Sequence, residues 1–245
     1  MPRGARIFSN SGYYHIILKG IGKQLLFEDD EDYERFLDTL GRYAREDNFE
    51  IIAYCLMENH VHLLLHADSD LSRIMKRIAG SYAYYYNTKY ERSGHLFQDR
   101  FKSEPIDDEK YLLAVVRYIH NNPQKAGICA REKYSWSSWH EYIGKADLIT
   151  PKLISDITGN TEEFISFSAS NEEVECLEIS EKRKLSDSAA QEIIREALHL
   201  ESGTQIQGMT REKRDASLRL LKDNGLSVRQ IERLTGINRG IVLKA

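Results

Sequence analysis

Apolar and polar positions alternate along the chain with two different periods, and the switches between them mark the elements. Residues 13–19 read Y-Y-H-I-I-L-K, a β-rich run closed by Gly20. Residues 29–45 start acidic and then set Tyr33, Phe36, Leu37, Leu40, Tyr43 and Ala44 at helical spacing. Residues 49–57 (F-E-I-I-A-Y-C-L-M) predict a buried strand, and 61–66 (V-H-L-L-L-H) predict a second, joined through Glu58-Asn59-His60. A long helical stretch covers 71–90, Ser93-Gly94 marks a turn, and 101–106 is a short extended piece interrupted by Pro105. Asp107 and Asp108 precede a helix over 111–122, which Pro123 is expected to stop. The order strand, helix, strand, strand, helix, strand, helix predicts an α+β domain. Its natural form is a ferredoxin-like antiparallel sheet with helices on one face.

The texture changes beyond residue 134. Residues 134–142 (Y-S-W-S-S-W-H-E-Y) hold two tryptophans and two tyrosines and are expected to fold back on the body. Residues 170–187 are rich in Glu, Ser and Lys and predict a solvated linker. Helical signal returns at 189–200 and again from 211 onward. Residues 226–242 predict helix, tight turn, helix, an all-α helix-turn-helix module. Ser227 is its N-cap, Gly236 its turn, and Ile231, Leu234, Ile237, Ile241 and Val242 its core. Three parts are therefore expected: a body over 1–145, an acidic extension and linker over 146–190, and a helical module over 191–245.

Charge alters this picture. The 245 residues carry a formal net charge of -4, which by itself speaks against a nucleic-acid binder. The charge is unevenly spread, however: residues 1–145 sum to -1, 146–190 to -6 and 191–245 to +3. An acidic middle hides a near-neutral body and a mildly basic C-terminal module. No apolar run approaches the ~18–20 residues needed to span a bilayer, so no membrane role is expected. The start, Met1-Pro2-Arg3-Gly4-Ala5-Arg6, lacks the apolar segment of a secretory signal. Three scattered cysteines fit a reducing cytoplasm and give no Cys-based zinc motif.

Four motifs carry candidate chemistry. His60 and His62 share one face of a strand, so two imidazoles on adjacent rungs can grip one divalent ion. The triplet alone is better explained by two hydrogen-bonded strand histidines, because the motif is only three letters. In Tyr118-Ile119-His120-Asn121-Asn122-Pro123, Tyr118 and Asn122 lie one helical turn apart. A phenol there can attack phosphorus and split one displacement into two, given a cation to activate it. Asn122 can offer an oxygen to the same ion. Taken alone, Tyr118 is more readily a packed aromatic, one among 14 tyrosines. Residues 94–103 (G-H-L-F-Q-D-R-F-K-S) interleave aromatics with Arg100 and Lys102, suited to stacking bases and holding phosphates of single strands. Tyr82, Tyr84, Tyr85, Tyr86 and Tyr90 offer further stacking faces, although a partly buried aromatic helix is the plainer reading. Arg117 and Lys125 flank the tyrosine and are expected to contact DNA. In the C-terminal module Arg229, Asn238 and Arg239 are the expected duplex contacts, because the first residues of a recognition helix meet base edges in the major groove.

Together these blocks resemble the REP-associated tyrosine transposases, a branch of the IS200-like single-tyrosine, single-strand DNA transposases with an HUH histidine pair. The resemblance runs over roughly residues 1–143. It rests on M-P-R-x-A-R at the start, Y-H-I near 14, C-L-M-E-N-H-V-H-L-L-L at 55–65 and Y-N-x-K-Y-x-R-x-G-x-L-F-Q-x-R-F-K-S at 86–103. It continues through Y-L-L-x-x-x-R-Y-I-H-N-N-P-x-K-A-G at 111–127 and the Y-S-W-S-S tail. It implies a ferredoxin-like fold, a Mg or Mn site, and cleavage of single-stranded or hairpin DNA. His60 and His62 become metal ligands and Tyr118 the nucleophile that forms a 5′-phosphotyrosine. Asn122 stands where related transposases carry a metal-contacting glutamine, and Glu58 where relatives commonly have proline. The implied setting is the cytoplasm, at the nucleoid. A homodimer, with Tyr118 acting in its own subunit or its neighbour's, is compatible with the sequence. Two other readings stay open: a domesticated, non-catalytic DNA-binding regulator, and an HUH replication initiator. The initiators share the histidine pair but not the Y-I-H-N-N-P and G-H-L-F-Q-D-R-F blocks.

Overall fold

A computed structural model describes residues 8–170, 176–177, 187–200 and 202–245. The chain divides into two compact units, Met1–Glu178 and Ile179–Ala245, each with its own apolar core.

The first unit contains β1 (Tyr13–Lys19), α1 (Asp30–Asp47), β2 (Glu50–Met57), β3 (His60–His66), α2 (Leu71–Lys89), β4 (Lys102–Ile106) and α3 (Glu109–Lys125). The strands form one antiparallel sheet in the order β2-β3-β1-β4. This is the α+β arrangement the periodicity predicts. Pro105 is tolerated because β4 is an edge strand. In the β1–β3 register His15 faces Leu64, Ile17 faces His62 and Lys19 faces His60. Side chains alternate across a strand, so His15, Ile17, His60, His62 and Leu64 share one face. Tyr14, Ile16, Leu18, Val61, Leu63 and Leu65 share the other. All of these but His60 are buried. The ring of Tyr118 on α3 lies against His15 and His62, so α3 covers the histidine face. The opposite face is left to α1 and α2, which meet through the edge-to-face contact of Phe36 with Tyr82. The expected helical layer is thus the α1–α2 pair, and α3 adds a layer of its own.

The N-terminus of α1 and the C-terminus of α2 are tied by one buried carboxylate. Asp32, fully buried, accepts from Lys89 Nζ at 3.0 Å, Tyr90 Oη at 2.7 Å, Tyr85 Oη at 3.1 Å and the Glu28 amide at 2.8 Å. A buried charge is tolerable only with such a full set of partners. Tyr82 and Tyr86 are buried, with hydroxyls donating to the Leu26 and Leu25 carbonyls. The plainer reading of the tyrosine run therefore holds, with Tyr84, 77% exposed, as the exception.

Helix α3 does not stop before Pro123, as expected, but runs on to Lys125. Proline has no N–H for the Ile119 carbonyl one turn earlier. The Asn122 side-chain amide lies 2.9 Å from the Tyr118 carbonyl and 3.5 Å from that of Ile119, and supplies donors there. The helix survives its last turn with one backbone bond fewer.

The outer edge of β2 would expose unpaired backbone groups. Residues 134–150 cover it. The Leu56 amide donates to the Trp136 carbonyl at 2.9 Å, and the Ser138 amide to Tyr54 O at 3.0 Å. The Tyr54 amide donates to Ser138 Oγ at 2.9 Å. Tyr134 and Tyr142 donate their hydroxyls to the carbonyls of Leu56 and Ile52. Trp136 stacks on Tyr33 at 4.5 Å. Trp139, 1% exposed, opens the short helix α4 (Trp139–Ile143). The aromatic tail thus folds back as expected, and what it covers is a sheet edge.

The following residues form α5 (Lys152–Thr158) and α6 (Thr161–Ala169), the latter begun by a capping box of Asn160 and Glu163. Ile154 and Phe164 belong to the first core, and Phe164 stacks on Tyr142 at 4.6 Å. Part of the expected extension is therefore packed structure. The linker expected over 170–187 falls largely outside the described residues, as does the start, 1–7.

The second unit contains α7 (Asp187–Leu198), α8 (Arg211–Asp223), α9 (Val228–Thr235) and α10 (Arg239–Lys244). Ser227 caps α9 and shares a capping box with Gln230. Gly236 turns the chain at φ 69°, a left-handed conformation that favours glycine, and a Cβ there would push aside the end of the Gln207 side chain, 2.3 Å away. Ile231, Ile237 and Val242 enter the core, whereas Ile241, expected there, is 38% exposed. Neighbouring helical residues point about 100° apart, and Val242 takes the inward direction. Among the described residues no helix is long and apolar enough to cross a membrane.

Candidate active site and nucleic-acid contacts

The candidate site is built where β1 and β3 lie under α3. His62 is 1% exposed, and its Nδ1 is 3.2 Å from Nε2 of His15, which is itself fully buried. His60, half-buried at the start of β3, holds its Nδ1 2.7 Å from Asn59 Oδ1. The His60 and His62 ring centroids are 5.1 Å apart. Burial pushes the His15 imidazole down to about 3. It holds His62 well below its ordinary value as well, helped by the neighbouring His15 and His60. His62 is therefore neutral at ordinary pH, the state a metal ligand requires.

This donor set fits a divalent ion in part. Two imidazoles share one face, and each has its Nδ1 engaged, by Asn59 and by His15. Among the described residues no group of three or more His, Cys, Asp or Glu forms a metal cluster. Further ligands have to be amide, phosphate or water oxygens, which is the mixed set that suits Mg or Mn.

Tyr118 is 9% exposed on α3, with ring centroids 5.5 Å from His62 and 5.7 Å from His15. Lys125, exposed two turns on, sets its Nζ 4.8 Å over the Tyr118 ring. Asn122 is brought to the same end of α3, 8% exposed, with its amide nitrogen committed to the helix carbonyls. Only its oxygen remains to face a ligand. The fold thus brings together His60, His62, Tyr118, Asn122 and Lys125 from two separate parts of the chain. Sequence reasoning assigned no role to His15, although the Y-H-I block contained it. The available signal was strand parity: once β1 is placed beside β3, His15 falls on the His62 face.

The expected DNA contacts divide. Arg100 and Lys102, leading into β4, are exposed, as is Lys125. Arg117 is not: it is 5% exposed, with its guanidinium bonded to Ser170 and lying 5.0 Å over the Phe167 ring. It fastens α6 to α3 and is not presented to a ligand, because its place on α3 faces the extension. In the second unit Arg229, Asn238 and Arg239 are all exposed. Asn238 Oδ1 caps α10 through the Gly240 amide at 2.8 Å. Arg239 takes the first position of α10, its amide donating to Glu232 Oε1 at 3.0 Å.

Known proteins are similar to this chain over the region that holds the site. The profile of the family described as transposase IS200-like matches residues 8–122. A Haemophilus influenzae protein named as a REP-associated tyrosine transposase is 28% identical over 165 residues, 60% of this chain and 90% of that one. The solved structure of a REP-associated tyrosine transposase bound to a REP hairpin aligns with a TM-score of 0.53 and 19% identity. It covers 62% of this chain and 90% of its own. That likeness concerns the fold. The matched span holds β1, the His60–His62 pair and Tyr118 through Asn122. Over residues 8–122 this chain is similar to the transposase IS200-like family.

Proposed function

We propose that the chain is a metal-dependent transposase that nicks and joins single-stranded DNA, with hairpin DNA of the REP kind as substrate. The observation that carries this is the meeting of Tyr118 with the histidine face, its ring 5.5 Å from that of His62. His60 and His62 would hold Mg or Mn, with the Asn122 oxygen as a further ligand. When bound, the ion would polarise the scissile phosphate. Tyr118 Oη attacks phosphorus and the bond to the 3′ oxygen breaks. This leaves a 5′-phosphotyrosine and a free 3′-hydroxyl; the phenol gives up its proton and the departing oxygen takes one up. Lys125, beside the ring, favours the phenolate. Arg100 and Lys102 hold strand phosphates near the site. The C-terminal module, through Arg229, Asn238 and Arg239, reads duplex DNA as a helix-turn-helix does.

The test is incubation of the full chain with hairpin single-stranded DNA and Mn or Mg. The wild type gives a covalent protein–DNA adduct on denaturing gels, and Tyr118→Phe gives none. An adduct of equal yield from the variant removes Tyr118 as the nucleophile.

A further inference from the structure

The two strand histidines are held in different ways. The Nδ1 of His60 is engaged by the carboxamide of its sequence neighbour, Asn59, at 2.7 Å. The Nδ1 of His62 is engaged by a second imidazole from another strand, His15 Nε2, at 3.2 Å. A carboxamide oxygen can only accept, so His60 keeps its proton on Nδ1 and leaves Nε2 as a lone pair. An imidazole nitrogen can do either, so the His15–His62 contact has two settings. If His15 Nε2 carries the proton, His62 accepts at Nδ1 and, being neutral, has its own proton on Nε2. That nitrogen then cannot ligate. If His15 carries its proton on Nδ1, its Nε2 accepts, His62 donates from Nδ1, and His62 Nε2 is free for a ligand. The second setting leaves an N–H on His15 Nδ1. That atom is fully buried and has no hydrogen-bond partner among the described residues.

We infer that His15 is the positioning residue of the site: it fixes the tautomer and orientation of His62 so that Nε2 is offered to the divalent ion. This rests on the reading of His60 and His62 as ligands. The partnerless Nδ1 of His15 is common to both settings, so the demand of the ion for His62 Nε2 is what selects between them. Outer partners of ligating histidines are commonly worth about 10–100-fold in metal affinity. The T-shaped approach of the His15 ring to Tyr118, at 5.7 Å, places the same residue against the nucleophile's ring, so it sets both members of the site from one strand.

The experiment is calorimetric titration of the full chain with Mn in the absence of DNA. Thermal melts without metal report folding. His15→Phe fills the space but cannot accept, and is expected to weaken Mn binding about 10-fold or more, with cooperative melting kept. His15→Gln restores an acceptor and is expected to recover most of the affinity, which a purely structural role would not do. Unchanged Mn affinity in a folded His15→Phe chain overturns the inference while leaving the ligand assignment standing. If His62→Ala binds Mn as the wild type does, the ligand reading falls and this inference with it. Should His15→Phe not fold, long-range nitrogen–proton spectra of the wild type loaded with Zn decide the matter. A proton on His62 Nδ1 supports the inference, and one on Nε2 overturns it.

Discussion

Helix α3 serves two regions with neighbouring side chains. Tyr118 turns to the histidine face of the sheet. His120, two residues on and so about 200° around the helix, turns to the tail that seals the β2 edge. There its Nε2 meets Ser138 Oγ at 2.8 Å, among the rings of Trp139, Tyr142 and Phe164. Both regions hold a fully buried imidazole that burial has pushed down to about 3, His15 in one and His120 in the other. Each also has a buried Nδ1 without a partner among the described residues. Burial and a depressed pKa therefore do not separate a site from a scaffold. What the rings touch does. His120 meets a serine hydroxyl that in turn takes the Tyr54 amide of β2, so its bond closes a structural network. His15 meets an imidazole, which meets another imidazole and a phenol, so its contacts run from ring to ring across the face that holds Tyr118.

This contrast can be broken by substitution. The largest effect is expected from Tyr118→Phe: adduct formation on hairpin DNA is lost, while the melting free energy stays within about 1 kcal/mol, since only one hydroxyl is removed. Large destabilisation with residual adduct would move Tyr118 to the scaffold side. Next, His62→Ala should abolish measurable Mn binding, beyond the ~10–100-fold typical of outer partners, in a chain that still melts cooperatively. Trp139→Ala should do the reverse. Emptying so large a buried site costs about 3–5 kcal/mol, read by denaturant unfolding, and adduct yield per folded molecule stays at the wild-type level. Ser138→Ala is milder, about 1–3 kcal/mol, because it leaves the Tyr54 amide and His120 without their partner. A loss of nicking there without a loss of stability would show that the two regions of α3 are coupled.

Much of the first unit was legible in order. The seven elements follow from the change of period and from Asp29, Asp108 and Gly20 as punctuation. His60, His62 and Tyr118 were picked out as candidates by strand parity and helical spacing, which are local rules, but only the resemblance of the surrounding blocks lifted them above the plainer readings. His15 was not, because its role depends on β1 lying beside β3, a pairing that no local pattern states. Arg117 was misplaced for a similar reason. A basic residue beside a candidate nucleophile was expected at DNA, and whether its flank of α3 faces solvent was decided by α6, about fifty residues further on. Pro123 was read as a stop because backbone rules alone say so. The Asn122 amide, bonding back to its own helix, changed the outcome by one turn.

The overall charge of -4 had spoken against nucleic acid, and its uneven spread already weakened that reading. By itself the sequence determined the elements, their caps and turns, and the two residue pairs proposed for phosphoryl transfer. These are properties of a few contiguous positions. Tertiary structure decided which buried histidine belongs to a network and which to a site, and which basic side chains remain on the surface. It also decided that the aromatic tail completes a sheet edge. The physical reason is that burial and hydrogen-bond partnership are set by whatever packs from distant segments, and a one-dimensional pattern records only that a group must be satisfied, not by what.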